Sequence, residues 1–486
     1  MNNHFRPVSF FLTVLMISAV GHELAGKAFS QSEPKIKVAC VGDSITFGAG
    51  VKNREQKNYP KQLSQLLGED YEVRNFGVSG TTLLSQGDHP WIKSRAFQAA
   101  TDFDPHIVVI NLGANDTKPQ NFPTHPDTFK ADYIALVNHF RKLPNKPLVY
   151  LCDPCPVVKD NFTISARVMD EGVRPRIAEV ARELGCNIID LNMPMKGHAA
   201  WFPDGVHPNA KGASMMAATV SRQLQSELDP DFDLQEELAK TDLEVGEFSF
   251  HGYVELRFEL NGVSCRIVKP HVAAKESPWV WRARFYGHQP QFDIAMLQQG
   301  WHVCYCEVGG LYGAAPALKR WDDFYQFAQQ TGLGPKPFLE GMSRGGLIIH
   351  NWAKAYPDQV CGIYGDNAVC DGRSWPGGKG AGKGSEKDWQ QLLKVYELTE
   401  AEADQFKGFP IDGLEKLAQA GVPILHINGT ADDVVPAAEN SDLLVEKYKQ
   451  LGGKTKVILK EGKAHHPHSL KDATPIVEFA LESLRR

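Results

Sequence analysis

Two α/β domains, one after the other, are what this chain predicts, and three observations lead there. From residue 35 to about 226, short apolar runs of period two alternate with segments whose apolar residues recur about every 3.6 positions. A stretch rich in Asp, Glu and Leu, 227–247, then interrupts the pattern. Beyond it, over 248–486, the same alternation begins again. Strict alternation of the two periods implies a parallel sheet with helices on both faces.

In the first domain, 34–226, strands are expected at 35–41, 71–76, 107–112, 147–152 and 187–190, with helices over 59–67, 128–143 and 173–184. Chemistry in such sheets gathers at the carboxyl ends of the strands. The acidic stretch 227–247 has few aromatics and reads as a partly helical linker. The second domain opens with β-rich runs at 252–260 and 263–270 around Asn261-Gly262, a pair that signals a tight hairpin. Further strands are expected at 303–308, 337–341, 359–365, 422–428 and 456–459.

The 486 residues suffice for two cores, and 42% hydrophobic with 23% charged residues is ordinary for a globular chain. A net charge of −6 leaves no electrostatic footprint for nucleic acid or an anionic membrane. Residues 1–30 read as a cleaved signal peptide: His4 and Arg6 precede an apolar stretch over 9–20, and Ala28-Phe29-Ser30 offers small residues for cleavage. The apolar stretch is short for a bilayer span, so a secreted or periplasmic protein without stable membrane insertion is expected. Oligomeric state is not legible.

Nine cysteines, an odd number in a long chain, do not make a dense disulfide scaffold. Cys152-Asp153-Pro154-Cys155 has the spacing of a redox or metal pair, but no second Cys or His pair stands near it. Cys304 and Cys306 alternate on an expected strand and should fill one face of the core. Gly377 to Gly384 imitates a phosphate loop, yet Gly384 stands where Ser or Thr would hold magnesium, and a flexible surface loop is expected instead.

Ser44 directly follows the first strand, with Gly42 and Asp43 making the turn. A serine hydroxyl needs a base before it attacks. His207 is the candidate, and Asp204, three residues earlier in Asp204-Gly205-Val206-His207, can fix its tautomer. Fixed donors for an oxyanion are available at Gly77 and in Gly113-Ala114-Asn115-Asp116, both after strands. These four blocks, in this order, resemble the GDSL or SGNH hydrolase family over about residues 34–226. The resemblance implies a flavodoxin-like parallel sheet, Ser44 as nucleophile, His207 as base and Asp204 as its acid. It also implies an oxyanion hole of the Ser44 N–H, the Gly77 N–H and the Asn115 side chain.

In the second half, Gly341-Met342-Ser343-Arg344-Gly345 leaves an apolar run and enters a helical one, the context of a nucleophile elbow. A strand then ends before Asp432-Asp433, and another before His465-His466-Pro467-His468. The order Ser, Asp, His resembles the α/β-hydrolase fold over about residues 250–486, within it esterases or prolyl-oligopeptidase-like enzymes. By that resemblance Ser343 is the nucleophile, Asp432 the acid with Asp433 as alternative, and His465 the base with His466 as alternative. The Arg344 N–H is one oxyanion donor, and Trp281 or Arg282 supplies the other. The Arg344 guanidinium could meet a uronate carboxylate or pack on the helix surface, and residues 366–371, after the next expected strand, should line the same mouth.

Both sets perform acyl transfer to water through an acyl-serine and require no metal or organic cofactor. Aromatics near them, Trp201-Phe202 and Trp279, Trp281, Phe285 and Tyr286, could stack on sugar rings. Together these features imply a secreted serine esterase with two sites, removing acetyl or other ester groups from an acylated polysaccharide. The alternatives are a lipid or small-ester hydrolase, a peptidase role for the second domain, or one active domain beside a non-catalytic one.

Overall fold

A computed structural model describes residues 35–485 apart from Ser226 and Pro230. The expected signal peptide lies outside the described residues. In the first half, β1 (Ile36–Gly42), β2 (Tyr71–Gly77), β3 (Ile107–Asn111), β4 (Leu148–Asp153) and β5 (Ile188–Asp190) form one parallel sheet in the order β2-β1-β3-β4-β5. β3 is buried along its whole length, as a central strand covered on both faces must be. Register matters most here, because Gly42 pairs with Gly77 on one side and with Asn111 on the other. The carboxyl ends of three neighbouring strands therefore finish side by side.

The stretch 227–247 is partly helical, as expected, and it packs against the second half. β6 (Leu228–Asp229) opens it, and the helix Leu234–Leu238 follows. Leu234 and Leu238, one helical turn apart, are buried in the core of the second half. The acidic residues face outward, and Asp233 caps the helix at the Gln235 N–H while pairing with Lys269. Its end already belongs to the second sheet, where β7 (Gly246–Phe250) pairs with β8 (Tyr253–Leu260).

β9 (Val263–Lys269) completes the expected hairpin, with φ of 52° at Asn261 and 74° at Gly262. The two-residue β10 (Ala273–Ala274) pairs back with β6. β11 (Trp279–Ala283), β12 (His302–Cys306), β13 (Phe338–Met342), β14 (Gly362–Asp366), β15 (Ile424–Gly429) and β16 (Thr455–Lys460) then give a nine-stranded sheet in the order β16-β15-β14-β13-β11-β12-β9-β8-β7. It is parallel from β16 to β12 and antiparallel from β12 to β7.

The helix Ala315–Gln330 covers the centre of this sheet, and its Trp321 stacks on Trp281 at 4.0 Å between ring centres. Trp279, Trp281 and Trp352 are completely buried around it. The aromatics of β11 are thus core, and the expectation that Trp279 and Trp281 face sugar rings is overturned. Cys304 and Cys306 fill the same core, as expected. All nine cysteines are buried and unpaired, including Cys152 and Cys155.

The two sheets pack together through hydrogen bonds of Gln223 with Gln299 at 2.8 Å, of Val272 N with Asn187 at 3.1 Å, and the ion pair Arg222–Glu478. Among the described residues no helix is long and apolar enough to cross a membrane.

Two candidate active sites

The first site is built where β1, β2 and β3 end. Ser44 opens the short helix Ser44–Phe47, so its backbone N–H has no partner within the helix. Asp43 caps that helix by accepting from the Ile45 N–H at 2.9 Å. His207 Nε2 lies 2.9 Å from Ser44 Oγ, and its Nδ1 lies 2.8 Å from Asp204 Oδ2. The other oxygen, Oδ1, accepts from the Val206 and His207 N–H groups at 2.9 and 2.7 Å. Partial burial raises the Asp204 carboxyl, but these bonds and the imidazole outweigh it and hold the group below its ordinary range.

The expected oxyanion donors Gly77 and Asn115 stand at the ends of β2 and β3, beside this site. Asn115 is buried and spends one amide hydrogen on the Thr81 carbonyl at 3.1 Å, which fixes its orientation and leaves the second. Gly77 comes so close to the nucleophile turn that a Cβ there would stand 2.2 Å from the Phe47 nitrogen. Its N–H donates to Asn75 Oδ1 at 2.8 Å, while Asn75 Nδ2 donates to the Thr46 carbonyl at 2.9 Å. Asn75 thus ties the end of β2 to the nucleophile helix, a part that the sequence reading did not assign.

A second unassigned residue is Phe162, 53% exposed, whose ring lies 5.4 Å from that of His207. Its loop is fastened to the acid–base loop by Asn161 Nδ2, which donates to the Asp204 carbonyl at 2.9 Å. Phe202 is buried, and Trp201 stacks on His198 at 3.9 Å.

The second site lies at the ends of β13, β15 and β16. Ser343 follows β13 with φ of 49°, the strained turn of an elbow, and leads into the helix Gly345–Ala355. The turn packs tightly on the end of β11, since a Cβ on Gly345 would stand 2.6 Å from the Ala283 carbonyl oxygen. His465 Nε2 lies 3.0 Å from Ser343 Oγ, and its Nδ1 lies 2.8 Å from Asp432 Oδ2. Asp432 Oδ1 accepts from the Val434 and Val435 N–H groups, both at 2.9 Å. His466 and Asp433 take no part: His466 is exposed, and Asp433 pairs with Lys383 at the surface.

The Arg344 N–H stands at the start of the helix, where backbone donors have no intrahelical partner. Its guanidinium is engaged by Asp388 at 3.2 Å and lies over the Trp375 and Phe285 rings. It is therefore a paired cation. Trp281 and Arg282 are strand residues; Arg282 is buried in an ion cluster with Asp293 and Glu340, the latter at 3.2 Å. The turn after β11 instead places Arg284 and Phe285 in left-handed backbone next to the elbow, with φ of 63° and 49°.

Asn367 and Asp366, in the segment expected to line this mouth, hold the site together. Asn367 Nδ2 donates to the His465 carbonyl at 2.8 Å, and its Oδ1 accepts from the Gly429 N–H at 2.7 Å. Buried Asp366 accepts from His468 at 2.8 Å, from the Ser469 N–H at 2.8 Å and from Lys460 at 3.1 Å. Burial raises the Asp366 carboxyl, but His468 and Lys460 outweigh it and hold it below its ordinary range. The loop Gly377 to Gly384 is on the surface, with Lys379 paired to Glu400 and Asp404.

Residues 40–215 match the GDSL-like Lipase/Acylhydrolase family. A relative named "Acetylxylan esterase", from Xylanibacter ruminicola, is 36% identical over 211 residues, covering 40% of this chain and 44% of the relative; the match thus spans less than half of that protein's length. Among solved structures, a puromycin-hydrolyzing peptidase of Mycobacterium tuberculosis is similar at a TM-score of 0.36 and 14% identity, over 49% of this chain and 37% of that one. Est1E from Butyrivibrio proteoclasticus is similar at a TM-score of 0.36 and 16% identity, over 48% of this chain and 99% of that one. Residues 40–215 thus match the GDSL-like Lipase/Acylhydrolase family, and the same chain carries a second α/β domain with its own Ser343–His465–Asp432 series.

Proposed function

We propose that this chain is an exported serine esterase with two working sites, both directed at ester groups on polysaccharides. The observation that carries this reading is the pair of hydrogen-bonded series, Ser44–His207–Asp204 and Ser343–His465–Asp432, each complete within its own domain. At either site the serine Oγ attacks the ester carbonyl carbon while histidine Nε2 takes the hydroxyl proton. The resulting oxyanion faces the Ser44 N–H and the Asn115 amide in the first site, and the Arg344 N–H in the second. Collapse breaks the bond to the sugar oxygen, which takes the proton from histidine Nε2 and leaves as a hydroxyl. Water, deprotonated by the same nitrogen, then cleaves the acyl-serine and regenerates the enzyme. Gly77 joins the first hole when its N–H exchanges Asn75 Oδ1 for the oxyanion.

The name of the Xylanibacter ruminicola relative supports acetyl groups on xylan or a similar glycan. Phe162 beside His207 supplies an exposed aromatic face for a sugar ring. The test is acetate release from acetylated xylan, together with p-nitrophenyl acetate hydrolysis, by the full chain and by Ser44→Ala, Ser343→Ala and the double variant. Each single variant should lose one component of activity by about 10⁴-fold or more, and the double variant both. Loss of all activity on every substrate in one single variant would leave a one-site enzyme.

A further inference from the structure

The second domain also buries a group of side chains that the acyl-transfer chemistry does not use. His350 lies on the helix Gly345–Ala355, Cys370 follows β14, and His426 is on β15. All three are fully buried, and one ligand atom from each lies within 4.8 Å of the other two. The two imidazole rings are nearly parallel, 10° apart, with centres separated by 5.4 Å.

Their hydrogen bonding is incomplete in an informative way. His350 Nδ1 is 2.8 Å from the Gly346 carbonyl oxygen. A carbonyl only accepts, so the proton is on Nδ1 and Nε2 carries a bare lone pair. Among the described residues that Nε2 has no partner, and neither nitrogen of His426 has one. The Cys370 thiol donates to the Ala368 carbonyl at 3.5 Å, its one hydrogen bond among the described residues. Asn428 lies two residues from His426 on the same face of β15, and both its amide atoms are unpartnered as well. Each buried polar atom left so is costly, and folds rarely gather several in one place without something bound between them.

We propose that His350 Nε2, Cys370 Sγ and one nitrogen of His426 bind a zinc ion as a structural site. Two imidazoles and a thiolate suit a borderline-soft divalent ion, whereas calcium and magnesium take oxygen ligands. The bond from His350 Nδ1 to a backbone carbonyl is the outer contact that metal-bound histidines make. Zinc–nitrogen and zinc–sulfur bonds of about 2.0–2.3 Å in a tetrahedron set ligand separations of roughly 3.3–3.7 Å. The group closes by roughly 1 Å to meet them. On binding, the thiol proton leaves to solvent and sulfur bonds to the metal, so affinity rises with pH. A water or Asn428 Oδ1 fills the fourth position. Burial excludes substrate, and the ion would brace three parts of the second site: the helix behind Ser343, the loop containing Asn367, and the strand leading to Asp432.

The full-length protein, purified without metal-affinity steps, is incubated with excess Zn²⁺ and desalted, and its zinc is measured by atomic emission. About one equivalent should remain in the parent, with at least a tenfold lower amount in Cys370→Ser and in His426→Gln. Co²⁺ in place of Zn²⁺ should give a thiolate-to-cobalt charge-transfer band in the parent and none in Cys370→Ser. The partly exposed group His465, His466 and His468 also gathers ligand atoms within 4.8 Å, but it contains no sulfur. Zinc held there gives no such band with cobalt and is retained by Cys370→Ser. The parent measurement decides the matter even where a variant does not fold. A folded parent that keeps no zinc and shows no band, or equal retention by Cys370→Ser, overturns the proposal in favour of buried water.

Discussion

The two triads solve one geometric problem with different numbers of chain segments. In the first site, acid and base are three residues apart on one loop, so the loop that delivers His207 also delivers Asp204. In the second, 33 residues and a strand separate Asp432 from His465. The carboxylates are nevertheless held alike, one oxygen taking two backbone N–H groups and the other the imidazole. What differs is the surroundings. The side chains of Asp204 and His207 are 31% and 13% exposed, those of Asp432 and His465 1% and 9%. Separate loops need bridges, and the second site has them in Asn367 and in Asp366 with its ligands. A single loop needs fewer, and the first site can stay open to water.

The sharpest way to break this contrast is to remove each acid. Asp432→Ala, measured in a Ser44→Ala background, should lower kcat/KM by about 10³–10⁴-fold, because a buried imidazolium loses the carboxylate 2.8 Å away. Asp204→Ala, measured in a Ser343→Ala background, should cost about 10–100-fold, since water reaches the vacated position and screens the charge. Equal losses would mean that exposure does not set the weight of the acid.

What was legible in the sequence follows the same division. The first site is written in short blocks at strand ends, each readable within a few residues, and its triad assembles from the residues so named. The elbow at Ser343 and the loop at Asp432 were equally local. His465 was preferred to His466 only through the loop pattern that starts at Gly462, because adjacent residues differ only in which way the chain turns. Asn367 and Asp366 act on residues 98 and 102 positions away, and only strand register brings them together. The aromatics of β11 misled because a strand beside a motif reads the same whether a helix or solvent covers it. Within 227–247 the helical part was legible, but its acidic composition gave no sign that Leu234 and Leu238 are buried in the second core. His350, Cys370 and His426 have no spacing that links them.

A smaller effect distinguishes the bridging asparagines. Asn367→Ala releases the carbonyl of the base residue and the end of β15 together, so the imidazole can drift from Ser343. A misplacement of about 1 Å costs up to about 10²-fold in kcat, with KM little changed. Asn75→Ala in the first site removes two bonds within one rim while leaving the acid–base loop intact. Its loss should stay below about tenfold, the scale of a hydrogen bond's net worth. A larger loss for Asn75→Ala than for Asn367→Ala would contradict the view that separate loops carry the greater need for bridging.

The least of the expected effects concerns protons beneath the nucleophiles. Asp43 is buried beside Ser44, and burial pushes its carboxyl up from 3.8 to about 7, with the Ile45 N–H pulling the other way and Asp116 adding to the rise. Between those values the folded state binds a proton that the unfolded chain has released. The stability from this group is therefore present below pH 3.8 and is lost as pH rises through about 7. Asp366 in the second domain has the opposite sign: its carboxyl is held low, so its contribution is present above the unfolded value and is lost as pH falls through the folded one. Asp43→Asn keeps a cap for the helix Ser44–Phe47 but removes the titration. The Tm of Asp43→Asn relative to the parent should shift in the variant's favour by roughly 2–4 °C between about pH 5 and about pH 8. Asp366→Asn should show a constant deficit across that range and a smaller one only below about pH 3.8. A difference for Asp43→Asn that stays constant across the range would mean that the turn under Ser44 carries an ionised carboxylate, as the second site does at Asp366.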